Sequence, residues 1–525
     1  MRNMRSPIIC CTVVFFCLAG KLLGQATSPQ PDIDGFVQGL NNVKSLLRIP
    51  AMEAAVMQGD SILLEKGFDV PDDAVFRVAS ITKTFTSTLI MQLVEKGKLD
   101  LDAPISRYGL DLGNSAITVR ELLTHTSEEK PGTWFSYNGY RFGRLGVVIE
   151  KAAGVPYYQL LMENIIKPLH MYSTAPGDSV FHYSDYIRKN PEMARYFKAA
   201  HARLVTPFAY DNLGQPVKAV YLDEFGAFGG LATTAGDLLR YSAAIDRHQF
   251  VSAATQQQIF TPNRTSDGMV TPYGLGWFVE NYLGIDIYWH YGQTSPGESG
   301  LFVKVPSKKL TVVVLANTDK LSTPFPLGDG DLLMSPVGLL IYFELLRPDI
   351  DILHPKPEDQ DVRKKAEITS ANVKLVHGDT AEAARLYEDY WKENFEGKPA
   401  VPPSGDIIAA INNVPIKKDT GRSFTLAATT KLRVYGVGED CSGDHLSWCD
   451  YGWIEDSTGK IVWQMQGQPI QPAGGAAKNQ RVDVVTELPA GNYKLRYKSD
   501  WGHGYGSWDS LPPDQFFWGI VIYKL

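Results

Sequence analysis

Apolar residues recur along this chain with two different periods, and the dominant period changes along its length. From Ile81 to Gly97 the apolar positions Leu89, Ile90, Leu93 and Val94 fall three and four residues apart, which predicts a helix with a core-facing side. Tyr140 to Gly154 and Asp237 to Ile245 read as amphipathic helices of the same kind. Glu53 to Gly67, turning at Gln58-Gly59-Asp60, predicts a hairpin. Gly300 to Val305 and Leu310 to Ala316, joined by a Pro-Ser-Lys-Lys turn, predict a second strand pair. Pro336 to Leu346 then reads as a closing helix, with proline suited to its first turn. Strands at both ends of Asp32 to Leu346, with helices between, predict an α+β domain whose sheet draws on both termini.

The pattern loosens from Arg347 to about Arg422. Proline and charge cluster there around one helical piece, Thr380 to Phe395, which reads as a linker carrying a small helical unit. From Ser423 onward short alternating runs take over: Phe424 to Ala427, Lys431 to Tyr435, Lys460 to Trp463, Arg481 to Val485, Tyr493 to Tyr497 and Gly519 to Tyr523. Turn residues separate them at intervals that suit an antiparallel β-sandwich. The expected units are residues 1–26, 27–346, 347–422 and 423–525.

The first unit reads as a targeting segment. Arg2 and Arg5 precede a mostly apolar run from Ile8 to Gly20, and small residues follow near Gly24 and Ala26. The run is short for a membrane span, so a periplasmic or secreted protein is expected. Three of the five cysteines lie in that segment. Cys441 and Cys449 remain, close enough for one short-loop disulfide in an oxidising compartment. With 51 basic against 58 acidic residues the formal charge is -7, which gives no reason to expect nucleic acid. Asp440, Asp444, His445 and Asp450 lack a regular ligand spacing, so no metal or other cofactor is expected. The tail concentrates tryptophan, most of it expected in the sandwich core. The glycine-rich Trp501 to Trp508 loop is the expected exception, a candidate for contact with cell-wall glycan or peptide.

The candidate chemistry begins at Ser80-Ile-Thr-Lys83. On a helix these two side chains share a face one turn apart, so the amine can take the hydroxyl proton. The partial positive charge of the first turn favours the free amine. So short a pattern also fits an N-cap serine followed by a solvated lysine. An active site needs a further proton-transfer group, donors for an oxyanion and a wall for the substrate. Candidates are Tyr137 in Pro131-Gly-Thr-Trp-Phe-Ser-Tyr-Asn-Gly-Tyr140, and His290 and Gly292 in Trp289-His-Tyr-Gly-Gln293. Each also has a plain structural reading, as a packed aromatic or a partly buried histidine.

Taken together, these segments resemble the serine β-lactamase-like superfamily. The branch is that of class C β-lactamases, D-alanyl-D-alanine peptidases and β-lactamase-like esterases, whose wider signature includes S-x-x-K. The likeness runs in order through Phe76 to Phe85, Gly97 to Ser106, Ile117 to Ser127, Phe135 to Gly154, Gly229 to Leu238, Tyr273 to Trp277 and His290 to Gly292. It implies a β-lactamase/transpeptidase-like fold, an antiparallel sheet flanked by helices plus an all-helical part. It also implies Ser80 as acylated nucleophile, Lys83 as its activating partner and Tyr137 as proton shuttle. His290 and Gly292 would form the substrate strand, with an oxyanion hole from the backbone N–H groups of Ser80 and Gln293. The chain departs from the family where Gly139 stands in place of an asparagine. That asparagine bonds the substrate's acyl-amide carbonyl, a task Asn138 inherits only if the loop shifts. Only Glu128, Glu129 and Lys130 separate Ser127 from Pro131, a short rim, whereas Tyr183 to Tyr221 is long and aromatic. The expected function is an exported serine hydrolase of small esters, amides or D-amino-acid-containing peptides. A true β-lactamase and a non-catalytic cell-wall-binding protein on a degenerate fold remain as alternatives.

Overall fold

A computed structural model describes residues 30–128, 130–177, 185–210, 215–221, 225–282, 284–294, 297–323, 325, 327–346, 362–394, 405–440, 448–473, 478–500, 503–505, 507–508 and 517–525. The proposed targeting segment lies outside them. The chain enters through helix α1 (Ile33–Leu46), capped by Asp32, whose carboxylate accepts the Gly35 N–H. Six antiparallel strands then form one sheet: β1 (Met52–Gln58), β2 (Ser61–Phe68), β3 (Phe278–Tyr282), β4 (Ile285–Thr294), β5 (Glu298–Val305) and β6 (Leu310–Ala316). Their order is β2-β1-β6-β5-β4-β3, so the first and last parts of the domain meet where β1 pairs with β6.

Strands β5 and β6 are buried along their whole length, because both faces of the sheet are covered and each becomes core. Ala55, Phe302, Val313 and Leu315 face the helical half, with Phe85, Leu89 and Leu145. Ala54, Val303, Val312 and Val314 face the other way, onto Phe36, Leu40 and Leu340. Each of the fully buried Val, Leu and Phe side chains among them contributes about 1.5–3 kcal/mol relative to exposure.

Helix α2 (Thr82–Glu95) runs through the centre of the helical half. Its sequence reads as amphipathic, yet Thr84, Thr86, Ser87 and Thr88 are buried as well. The hydroxyls make this possible by finding partners: Thr86 bonds the Ala227 carbonyl at 2.7 Å, and Thr88 meets the Tyr241 hydroxyl at 2.7 Å. Short hydroxylated side chains therefore serve as core here, since a bonded buried hydroxyl avoids the penalty of an unpaired one.

The segment after Leu346 carries two helices where the sequence predicts one, Val362–Val376 and Thr380–Asn394. Ile368, Ala371, Leu375 and Ala383 are buried, and Ile368, Leu375 and Ala383 join the core of α1 and the outer sheet face. That contact explains the apolar positions hidden among its charges.

The C-terminal β region begins before Ser423, because Ile407–Ile411 pairs with Gly519–Lys524 and Asp419–Leu426 with Gly491–Lys498. One layer holds 407–411, 519–524, 430–440, 479–488 and 470–472; the other holds 419–426, 491–498, 448–456 and 461–464. The hairpin of 430–440 and 448–456 joins them. Trp448, Trp453, Trp463 and Trp518 are buried, while Trp501 lies outside the described residues. Cys449 is disulfide-bonded, and Cys441, its expected partner, also lies outside them. No helix among the described residues is long and apolar enough to cross a membrane.

Candidate active site

Ser80 sits in a single 3-10 turn, Ala79–Ile81, that leads into α2. Helix α2 has no side-chain N-cap, so the serine is not acting as one. Ala79, immediately before it, is held at φ +41°, a left-handed conformation that costs a non-glycine residue energy and tends to persist where function over-determines it. Lys83 Nζ lies 2.7 Å from Ser80 Oγ and donates to the Phe228 carbonyl at 2.9 Å. The lysine is buried, with 1% of its surface exposed. Burial disfavours the ammonium and brings its pKa from 10.5 down to about 7. Half-burial of Ser80 leaves the hydroxyl at the edge of solvent while the Lys83 amine stays dry.

Tyr137 stands over this pair, its ring centroid 5.3 Å from Lys83 Nζ. Burial raises the phenol above its ordinary range, the nearby Ser80 hydroxyl opposes the rise, and the phenol oxygen has no hydrogen-bond partner among the described residues. The group is therefore an un-ionised phenol at neutral pH, a proton donor and relay rather than an anionic base.

His290, on β4, is placed differently from a cleft-facing anchor. It is fully buried. Its Nδ1 lies 2.7 Å from the Tyr291 carbonyl and its Nε2 2.8 Å from the Tyr273 hydroxyl. A carbonyl only accepts, so Nδ1 carries the proton and Nε2 accepts from Tyr273. Burial, then the charge of Lys83, push the imidazole down to about 3. The ring is neutral with both nitrogens engaged, and it offers no positive charge to a substrate carboxylate. Tyr273 was missed as a partner. It lies in a segment that carries the family likeness, but nothing in its sequence spacing relates it to residue 290.

Gly292 explains how β4 comes close to the nucleophile. A Cβ there would stand 2.4 Å from the Val78 carbonyl oxygen, so only glycine lets the strand lie against the turn that carries Ser80. Ser322 Oγ donates to the Gly292 carbonyl at 2.8 Å, and Gln293 Nε2 donates to Thr323 at 2.7 Å. These bonds fix the strand end whose Gln293 N–H the family likeness assigns to the oxyanion.

The Asn138 side chain is held by partners other than Ser80. Its Nδ2 donates to Glu128 Oε1 at 2.5 Å, and its Oδ1 accepts the Arg141 N–H at 2.9 Å, capping the short helix Gly139–Gly143. The amide is thus occupied, and no loop shift brings it into the place of the family asparagine. At Gly139 a Cβ would meet only Lys83 Nζ, at 3.7 Å. A side chain there would start in van der Waals contact with the amine.

Away from this cleft, Glu439, Asp450 and Asp500 lie close enough together to hold a cation among the described residues. Their bonds are internal, however. Asp450 accepts from the Asp500 N–H and Trp518 Nε1, both at 2.7 Å, and Glu439 pairs with Lys478 at 2.8 Å.

A sequence model of a family described as Beta-lactamase matches residues 41–330. Over 288 residues the chain is 25% identical to penicillin-binding protein 4* of Bacillus subtilis, covering 47% of this chain and 62% of that protein. It is 27% identical over 262 residues to the putative penicillin-binding protein PbpX of the same organism, covering 43% and 61%. The match thus spans about three fifths of these relatives' lengths. Among solved structures, a D-stereospecific amidohydrolase from Streptomyces sp. is similar over 55% of this chain and 95% of its own, with 21% identity and a TM-score of 0.45.

Proposed function

The chain belongs to the β-lactamase family, and from that premise we propose that it is a serine hydrolase working through an acyl-Ser80 intermediate. The observation that carries this reading is the 2.7 Å contact between a half-buried serine hydroxyl and a fully buried lysine amine. An amine with a pKa of about 7 is half free at neutral pH, which is what a general base requires. Lys83 Nζ takes the proton of Ser80 Oγ as the oxygen bonds the substrate carbonyl carbon. The backbone N–H groups of Ser80 and Gln293 receive the developing oxyanion. When the intermediate collapses, the leaving alkoxide or amine takes its proton from the Tyr137 phenol, which is replenished from the Lys83 ammonium. Water then attacks the ester, giving up its proton by the reverse path, and Ser80 regains its hydrogen.

Two features favour small esters and simple amides over carboxylate-bearing peptides and β-lactams. His290 is neutral and fully hydrogen-bonded, and neither residue 138 nor 139 offers a free amide to a substrate carbonyl. Two relatives are named as penicillin-binding, and penicillin is an amide-like acyl donor. D-amino-acid-containing peptides therefore stay within the proposed range. An exported location fits the basic and apolar N-terminal segment.

The test is intact-mass spectrometry after incubation with an activated ester, a D-Ala-D-Ala peptide and a penicillin, run on the wild type and Ser80→Ala. The expected result is an adduct with the ester, turnover of that ester, and neither in the variant. No adduct with any acyl donor would instead indicate a binding protein. A durable penicillin adduct that is slowly hydrolysed would favour β-lactam chemistry.

A further inference from the structure

We propose that His125 is the positioning residue for Tyr137, clamping the backbone N–H groups of the residues before and after it. The inference rests on the reading in which Tyr137 passes the proton to the leaving group. The Ser136 N–H donates to the His125 backbone carbonyl at 2.9 Å, and the Asn138 N–H donates to His125 Nδ1 at 3.1 Å. One residue thus holds the amides immediately before and after the tyrosine. The imidazole ring also lies against the phenol, with centroids 4.4 Å apart, and is backed by Phe142 at 5.1 Å and Tyr273 at 4.9 Å. Tyr137 is left with little freedom except at its hydroxyl.

The local sequence dictates this arrangement. Thr118 and Glu121 form a capping box that starts the helix Val119–Leu123. The chain leaves that helix through His125 at φ +55°, the left-handed position after a C-cap where glycine is usual. Histidine tolerates that region better than most residues. From this turn its carbonyl and its ring both project toward the loop that carries Tyr137. A glycine would make the turn equally well but would supply only the carbonyl.

Because Nδ1 accepts from a backbone N–H, the proton must sit on Nε2, and the clamp requires a neutral ring. The surroundings enforce this. Burial first, and then the positive charge of Lys83, disfavour the imidazolium. Nε2 is buried and has no hydrogen-bond partner among the described residues. Only the nitrogen that holds the Tyr137 loop is engaged.

Asparagine places Oδ1 close to where histidine places Nδ1 and tolerates the same backbone. Leucine keeps comparable bulk but has no acceptor. His125→Asn and His125→Leu both lose the ring, and because leucine is also strained at this left-handed backbone, His125→Gly, unstrained and without the acceptor, is measured beside them and must lose kcat as His125→Leu does. On an activated ester, His125→Leu is expected to lose kcat by about 100-fold with KM little changed, the scale of an ångström of misplacement. His125→Asn is expected to stay within about threefold of the wild type, since the accepting atom is kept. An equal loss in His125→Asn and His125→Leu, no loss in either, or a loss carried by KM overturns the proposal. Tyr137→Phe, measured alongside, distinguishes the two claims. If it keeps full kcat, the role given to Tyr137 has failed; if it loses kcat while His125→Leu does not, only the clamp has failed. Should the variants not fold, 15N-histidine NMR of the intact wild type decides. A proton on Nε2 and a bare Nδ1 at residue 125 across the active pH range are expected, and the opposite tautomer or an imidazolium refutes the clamp.

Discussion

Position 139 offers a direct way to change the lysine on which the mechanism turns. Gly139→Asp would put a carboxylate beside Lys83, because the Cβ of any side chain there points at Nζ from 3.7 Å. Gly139 has no positive φ and opens a short helix, so an aspartate meets no backbone strain and suits the helix start. At about 4 Å and an effective dielectric of about 20, opposite unit charges attract by about 4 kcal/mol. Solvent at the cleft reduces that figure, and an opposite charge at this range commonly moves a pKa by about 1–3 units. In the wild type the pKa is about 7, so about half of Lys83 is the free amine at pH 7. A rise of one unit leaves about a tenth free, and a rise of two about a hundredth. The variant should therefore lose about five- to fiftyfold in kcat/KM at pH 7, and recover as pH approaches 10. The assay is kcat/KM for an activated ester between pH 6 and 10, with the rate of Ser80 labelling by a phosphonate as a second readout. Gly139→Asn is the control of equal size without the charge. If the acid limb lies at the same pH in both variants, Lys83 is not the base that the limb reports.

Two further outcomes follow from the wall around the nucleophile. Gly292→Ala should cost at least about 100-fold in kcat/KM and lower the melting temperature, since its methyl would overlap the Val78 carbonyl at 2.4 Å and push β4 off the Ser80 turn. Wild-type activity in that variant would show that the close approach is not needed. Tyr273→Phe should destabilise the fold by about 1–3 kcal/mol in urea unfolding by leaving His290 Nε2 buried without its donor, with kcat for small esters changed less than tenfold. A collapse of kcat with unchanged stability would make the Tyr273–His290 couple part of the chemistry.

Much of the site could be read from the chain because it is local. Ser80 and Lys83 lie one turn apart, so helical geometry alone brings them together, and the structure closes that contact to 2.7 Å. Gly292 was singled out only as part of the substrate strand, and its close approach to the Val78 carbonyl came from the fold. The roles of the surrounding residues were not local. Helix period placed a solvated face on α2, whereas the fold buries Thr84, Thr86 and Thr88 and bonds the hydroxyls of Thr86 and Thr88 to residues 71 to 153 positions away. Proline and charge clusters between Arg347 and Arg422 suggested a linker with one helical piece, whereas Ile368, Leu375 and Ala383 prove to be core because α1 and its neighbours lie against them.

By itself, then, the sequence determined most of the elements of residues 32–346, the candidate Ser80–Lys83 pair and the family likeness that orders them, since all of these rest on spacing within short segments. Tertiary structure alone decided the protonation states. Lys83 is near neutrality because packing removes its water. His290 is a neutral acceptor because Tyr273 and the Tyr291 carbonyl occupy its two nitrogens. His125 holds Tyr137 because its turn faces a loop thirteen residues on. Solvation and partner atoms come from segments distant in the chain, and no local pattern encodes them.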